Sequence, residues 1–203
     1  MSPELAGPIG FGIVVALIAL RVPIALAMAL VGTVGSIWIG GWSSATYVLS
    51  NLPFEAISND GMEVVPLFIF MGVFATYSGL SANLYSGVQA LIGHWRGGIA
   101  MATIGASAGF GAICGSSLAT AATIGRVAMP EMRARNYSDS LASASVAAGG
   151  TLGVLIPPSI ILILYAILTG ESIGALFAAA LLPGLLATAL YMAAVLVQVL
   201  RKP

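Results

Sequence analysis

Two stretches set small, polar and helix-breaking residues into otherwise apolar sequence: Gly115-Ser116-Ser117, and Gly149-Gly150-Thr151 followed by Pro157-Pro158. Their chemistry is that of the backbone. Irregular chain at membrane depth exposes polar groups that cost several kcal/mol each in lipid, so it persists only inside protein or beside a water-filled cavity. At the first stretch, one helical arm is expected to end with free carbonyls around Ala112 to Gly115, and the next to begin with free amides capped by Ser116 or Ser117. A helix C-terminus attracts a cation and a helix N-terminus an anion such as a carboxylate. Gly149-Gly150-Thr151 can likewise end one half-helix and Pro157 or Pro158 begin another, adding a second set of carbonyls. Together the two sets of carbonyls could hold a sodium ion without any acidic ligand.

Plainer roles compete at several positions. Gly105, Gly109, Gly111 and Gly115 stand at GxxxG spacings, which often serve only close helix packing. Ser116 and Ser117 can bond back to their own helix, the default also for Thr120 and Thr123. Pro157-Pro158 can be a simple kink. His94, beside Trp95 and Arg96, reads as an interfacial anchor, and Cys114 as a small buried apolar residue. A serine hydrolase built on Ser116 or Ser117 is disfavoured, because the single histidine, His94, is the wrong partner and no other general base is apparent.

These residues must be held by membrane helices. The chain is 59% hydrophobic with 7% charged residues, against roughly 25% charged in soluble domains. Seven basic residues balance seven acidic ones, so no net field recruits nucleic acid. The lone cysteine excludes an internal disulfide, and no HExxH, GxGxxG or Walker-type string occurs. No secretory signal is apparent before the first apolar run. The fold class is all-α and polytopic, a single membrane domain over 1–203. Spans of about 20 apolar residues are expected over 6–20, 23–39, 64–80 and 173–200. An interfacial segment is expected over 42–61 and an amphipathic helix over 81–95. The remaining apolar regions are each interrupted, 97–125 at the Gly-Ser-Ser stretch and 138–168 near its middle.

Charge decides how 97–125 runs, because basic residues in short loops stay cytoplasmic. A single crossing would separate Arg21 and Arg96 from the other basic residues. A re-entrant hairpin puts all seven basic residues on one face and Glu4, Glu55, Asp60, Glu63 and Glu171 on the other. The expected topology is thus a hairpin tipped at Gly115-Ser116-Ser117, an N-terminus outside, and a cytoplasmic C-terminus for this chain.

From about Pro66 to Met192 the sequence resembles the N-terminal half of the large membrane subunit of TRAP (tripartite ATP-independent periplasmic) transporters. The resemblance is carried by GHWRGGIA (93–100), GFGAICGSSLATAATIG (109–125), MPEMRARNYS (129–138), AAGGTLGVLIPPSIILILYAILTGESIGALF (147–177) and LLPGLL (181–186). It implies an elevator-type, inverted-repeat secondary transporter of the bacterial inner membrane. Such a carrier moves organic acids, C4-dicarboxylate-like or sialic-acid-like, with sodium as the coupling ion and without another cofactor. The implied partners are a periplasmic solute-binding protein, a small membrane subunit and a second, inverted half of the permease. The family's hairpin tip falls on Gly115, Ser116 and Ser117, and its unwound helix on Gly149, Gly150 and Thr151 before Pro157-Pro158, so the resemblance implies these six residues as the sodium site. Ser116 and Ser117 would reach the substrate carboxylate. Val73 stands where many members carry asparagine. Members are about twice this long, so the chain is expected to be a fragment, a split gene product or a short form. A non-transporting interaction module is the alternative.

Overall fold

The computed structural model describes residues 3–58 and 60–201; Lys202, and the side chains of Glu4 and Asp60, lie outside the described residues. Among these residues every regular element is helical. Backbone contacts gather into two compact units, 1–59 and 60–203, described separately below.

The first unit pairs α1 (Pro3–Ala19) with α2 (Ile24–Ile57). Arg21 takes a left-handed conformation, φ 66°, in the turn between them. Pro23 caps α2 from outside, where its missing amide costs nothing. The segment 42–61, expected to be interfacial, is largely helix. Gly41, with φ 77° and ψ −176°, breaks the rod locally, and the helix resumes to Ile57. Only glycine reaches that backbone region at low cost.

The second unit holds the two interruptions. A short 3-10 turn (Asp60–Glu63) leads into α3 (Val64–Tyr77), and Gly79 turns the chain by 66° into α4 (Leu80–Ile92). Then come α5 (Gly98–Cys114), α6 (Ser117–Ala134), α7 (Asp139–Leu155), α8 (Ile160–Thr169) and α9 (Ile173–Arg201). Side-chain contacts fix their directions. Thr103 of α5 bonds to Met132 of α6 near one end and Cys114 meets Thr120 at the other, so α5 and α6 form an antiparallel hairpin. Gly149 of α7 lies against Ser107, and Gly153 against Gly111, so α7 runs parallel to α5. Gly125 faces Val146 and Gly150 faces Ala121, which makes α7 antiparallel to α6.

These three helices pack closely because glycine lines their contacts. A Cβ on Gly111 would fall 2.6 Å from the Cα of Gly153, and one on Gly149 would fall 2.8 Å from the Cβ of Ser107. In lipid, helices gain little from mutual hydrophobicity, so close packing of small residues carries the association. The core is built around Phe110, Ile104, Ile124, Met132 and Leu152, all fully buried. Outward residues are apolar too: Leu168 is 85% exposed and Leu182 75%, as suits helices that face hydrocarbon.

Polar bonds gather at the open end of the hairpin. Gln89 of α4 donates to Glu131 of α6 at 3.0 Å, Arg135 donates to the same carboxylate at 3.0 Å, and Arg133 pairs with Asp139 at 2.8 Å. Ser138 caps α7, accepting from the amide of Leu141. α9 returns along the bundle to this end, where Val195 and Val199 flank Gly97.

Candidate functional site at two facing helix breaks

The hairpin tip is two residues long. α5 ends at Cys114, Gly115 reverses the chain with φ 62°, and Ser116 caps α6 by accepting from the amide of Ala119 at 3.4 Å. The second interruption spans 156–159, between α7 and α8. Gly149, Gly150 and Thr151 therefore do not unwind; they are helical, four to six residues before the end of α7 at Leu155. Glycine inside a helix costs only about 1 kcal/mol relative to alanine, and here its lack of a Cβ admits Ser107 and Ala121. Thr151 bonds to the carbonyl of Ala148 and faces Tyr191 of α9 at 3.4 Å.

The break is placed by Pro157 and Pro158. Each lacks the amide hydrogen that would bond four residues back, so the carbonyls of Gly153 and Val154 lose their helical partners. Ile156 still bonds to Leu152 at 2.9 Å, while the amide of Ile160 turns aside to the carbonyl of Gly115 at 3.4 Å. That bond joins the two interruptions. A Cβ on Gly115 would lie 2.8 Å from the carbonyl oxygen of Pro158 and 3.5 Å from the Cα of Ser159. Alongside, a Cβ on Gly153 would lie 2.8 Å from the carbonyl oxygen of Ser116.

Four helix ends thus meet. Among the described residues no backbone amide bonds to the carbonyls of Ala112, Ile113 and Cys114 at the end of α5, nor to those of Gly153, Val154 and Leu155 at the end of α7. The amides of Ser117 and Leu118 open α6, and those of Ile161 and Leu162 open α8, equally without backbone acceptors. Ser159 is fully buried, yet its hydroxyl bonds to nothing and does not cap α8. Buried hydroxyls are rarely left unbonded, and such a group calls for an unseen partner such as a water or ion. Sequence reasoning missed Ser159; the available signal was a serine directly after two prolines and before an apolar helix, the usual N-cap setting.

A cavity of about 160 Å³ opens beside the tip, lined by Ile69, Gly72, Val73 and Thr76 of α3, Cys114, Ser116 and Ala119 of the hairpin, and Ile160. No charged side chain lines it, and no cluster of three or more His, Cys, Asp or Glu occurs among the described residues. Any ion here would be held by carbonyls and hydroxyls, a donor set suited to hard cations. His94 lies at the other end of α5, a 17-residue arm from the tip, about 25 Å away at 1.5 Å per residue. It cannot serve Ser116 as a base.

The family model "Tripartite ATP-independent periplasmic transporter, DctM component" matches residues 11–202. The chain is 37% identical over 179 residues to the isethionate TRAP transporter permease protein DctMQ of Oleidesulfovibrio alaskensis, covering 88% of this chain and 28% of that protein. It is 40% identical over 133 residues to the C4-dicarboxylate TRAP transporter large permease protein DctM of Pseudomonas aeruginosa, covering 66% of this chain and 31% of the relative. With the ectoine large permease TeaC of Halomonas elongata, identity is 35% and the shares are 85% and 40%. The chain therefore spans well under half the length of these relatives. All are transporter permeases rather than enzymes.

Gly115 and Gly170 offer a matched comparison. Both are left-handed, at φ 62° and 71°, but a Cβ on Gly170 meets nothing within 4 Å. Gly170→Ala is expected to lower unfolding free energy by about 1 kcal/mol, the conformational cost alone. Gly115→Ala is expected to cost about 1–3 kcal/mol more, because it also drives the tip from Pro158. Thermal unfolding in detergent reads the difference; equal losses would mean that the two breaks are not in contact.

Proposed function

The chain belongs to the DctM family of tripartite ATP-independent periplasmic transporters, and from that membership together with the paired helix breaks we propose that it forms the sodium-binding part of a secondary transporter for an organic acid. The observation that carries this reading is the closeness of two carbonyl-bearing helix ends: the carbonyl of Gly115, just past α5, accepts from the amide of Ile160 at the start of α8, and Gly153 near the end of α7 packs against Gly111 and Ser116. Each end presents about half a negative elementary charge, and together they can replace the hydration shell of a sodium ion without an acidic residue.

In this reading the ion lies between the carbonyls of Ala112–Cys114 and Gly153–Leu155, with the orphaned hydroxyl of Ser159 as a further ligand. Gly115, Ser116 and Ser117 keep their place at the site. Gly149, Gly150 and Thr151 act one step removed, letting α7 approach α5 and α6 closely enough for the ends to meet. The amides of Ser117 and Leu118, with the hydroxyl of Ser116 at the cavity, face the substrate carboxylate. Bound sodium offsets the carbonyl charge and draws the anion to the same joint, so each favours the other's binding, and linkage makes that coupling reciprocal.

The substrates for which the relatives are named include isethionate, C4-dicarboxylates, sialic acid and ectoine. An anionic or zwitterionic carboxylate or sulfonate is the shared chemistry. Transport by the assembled carrier uses a periplasmic solute-binding protein, a small membrane subunit and the portion of the permease that the longer relatives possess. The protein sits in the inner membrane with its N-terminus periplasmic and the open end of the hairpin cytoplasmic.

Restoring amides at the break tests the ion site. In the Pro157→Ala, Pro158→Ala double variant the carbonyls of Gly153 and Val154 regain helical partners. Thermal unfolding of the wild-type chain is expected to shift upward in NaCl relative to choline chloride at equal ionic strength, and the double variant is expected to lose that shift while keeping its helical circular dichroism. A shift unchanged in the variant rejects the site.

Sidedness has its own check. Cysteines at Arg96 and Arg133, in a Cys114→Ser background, are expected to react with a membrane-impermeant maleimide only in inside-out vesicles. Labelling of the two from opposite sides would refute a hairpin that enters and leaves on one face.

A further inference from the structure

We propose that Cys114 is a positioning residue for this ion site, its thiol relaying a hydrogen bond from Thr120 to the backbone of Ser116. The role presupposes the sodium reading given above. Thr120 is fully buried, and its Oγ1 lies 3.1 Å from the Cys114 Sγ. The same sulfur lies 3.6 Å from the carbonyl oxygen of Ser116. Buried hydroxyl protons need acceptors. Among the described residues Cys114 is the only side-chain partner of Thr120, so the Thr120 hydroxyl donates to sulfur and the thiol donates onward to Ser116. The reverse order would strand the hydroxyl proton.

The relay has a definite effect on the tip. A carbonyl oxygen has two lone pairs, and that of Ser116 already accepts from the Thr120 amide at 3.0 Å. With the thiol it is saturated, and so is removed from competition for the ion. The peptide plane of Ser116 is then held from both sides. Through the two-residue turn this fixes the angle at which Ala112, Ile113 and Cys114 present their own free carbonyls. Gly153 permits the arrangement: a Cβ there would fall 2.8 Å from the Ser116 carbonyl and within 3.0 Å of the Thr120 Cβ. At the same joint the fully buried hydroxyl of Ser159 is also left without a partner, a second, independent group with a bond to offer a ligand.

Cys114 is also experimentally convenient. It is the only cysteine of the chain, so a thiol reagent reports on this one buried position, which lies among the residues around the 160 Å³ cavity.

The experiment uses the full chain in detergent, with sodium titrations of thermal unfolding for wild type, Cys114→Ala and Cys114→Ser. A second arm follows modification of wild-type Cys114 by methyl methanethiosulfonate in NaCl and in choline chloride. Loss of one modest hydrogen bond is expected to raise the half-saturating sodium concentration of Cys114→Ala about 3- to 10-fold. Serine, which keeps a donor, is expected to recover most of the loss, and sodium to slow wild-type modification several-fold. Alanine and serine variants that both match wild type, or that shift alike, would overturn the relay. So would sodium-independent modification of a wild type that sodium does stabilise, which decides the matter even if Cys114→Ala fails to fold. A wild type whose unfolding ignores sodium refutes the sodium reading itself.

Discussion

A peptide carbonyl that cannot find an amide in apolar surroundings must find something else. This constraint governs the second unit of the chain, because two adjacent prolines strip partners from Gly153 and Val154 while a left-handed glycine ends α5 with Ala112 to Cys114 unbonded. Left alone, either break would be costly in lipid. The Gly115 to Ile160 bond brings the two breaks side by side within the helical bundle. The surrounding packing is what makes that meeting possible.

Small residues do most of the positioning. Gly111, Gly149, Gly150 and Gly153 each lie where a Cβ would strike a neighbouring helix, and they draw α7 into the groove between α5 and α6. The hairpin's open end is fastened differently, by Gln89, Glu131 and Arg135. Polar bonds thus tie the end where charges can reach water, and close glycine contacts hold the end where they cannot. The distribution follows from the bilayer as solvent: exposed ion pairs contribute little stability but fix register, while close backbone approach suits the interior.

The hairpin was legible in the sequence because three independent signals agreed there: a glycine able to turn left-handed, serines able to cap, and basic residues that a single crossing would have put on opposite sides. The helical interruption was legible in kind but misplaced. Gly149-Gly150 looks like a breaker by propensity, yet its modest helical cost is outweighed by contacts with Ser107 and Ala121 that only the folded bundle supplies. Pro157-Pro158 acts on carbonyls four residues upstream, so the exposed acceptors lie at Gly153 and Val154. The aromatic and acidic residues of 42–57 marked the region as interfacial without showing that it is helical, and the helix resumes there after the glycine at 41 takes up the local break. Ser159 has no distinguishing pattern beyond its place after two prolines, and only the fold shows its hydroxyl buried and unbonded.

Thallium(I), a heavy monovalent cation favoured by carbonyl cages and visible by anomalous scattering, offers the most direct view of the joint. Crystals of the chain in lipidic medium soaked with thallium acetate are expected to show one strong peak between the ends of α5 and α7, close to Ser159 and diminished by competing sodium. A peak absent from the joint, or insensitive to sodium, would contradict an ion site made from two broken helices.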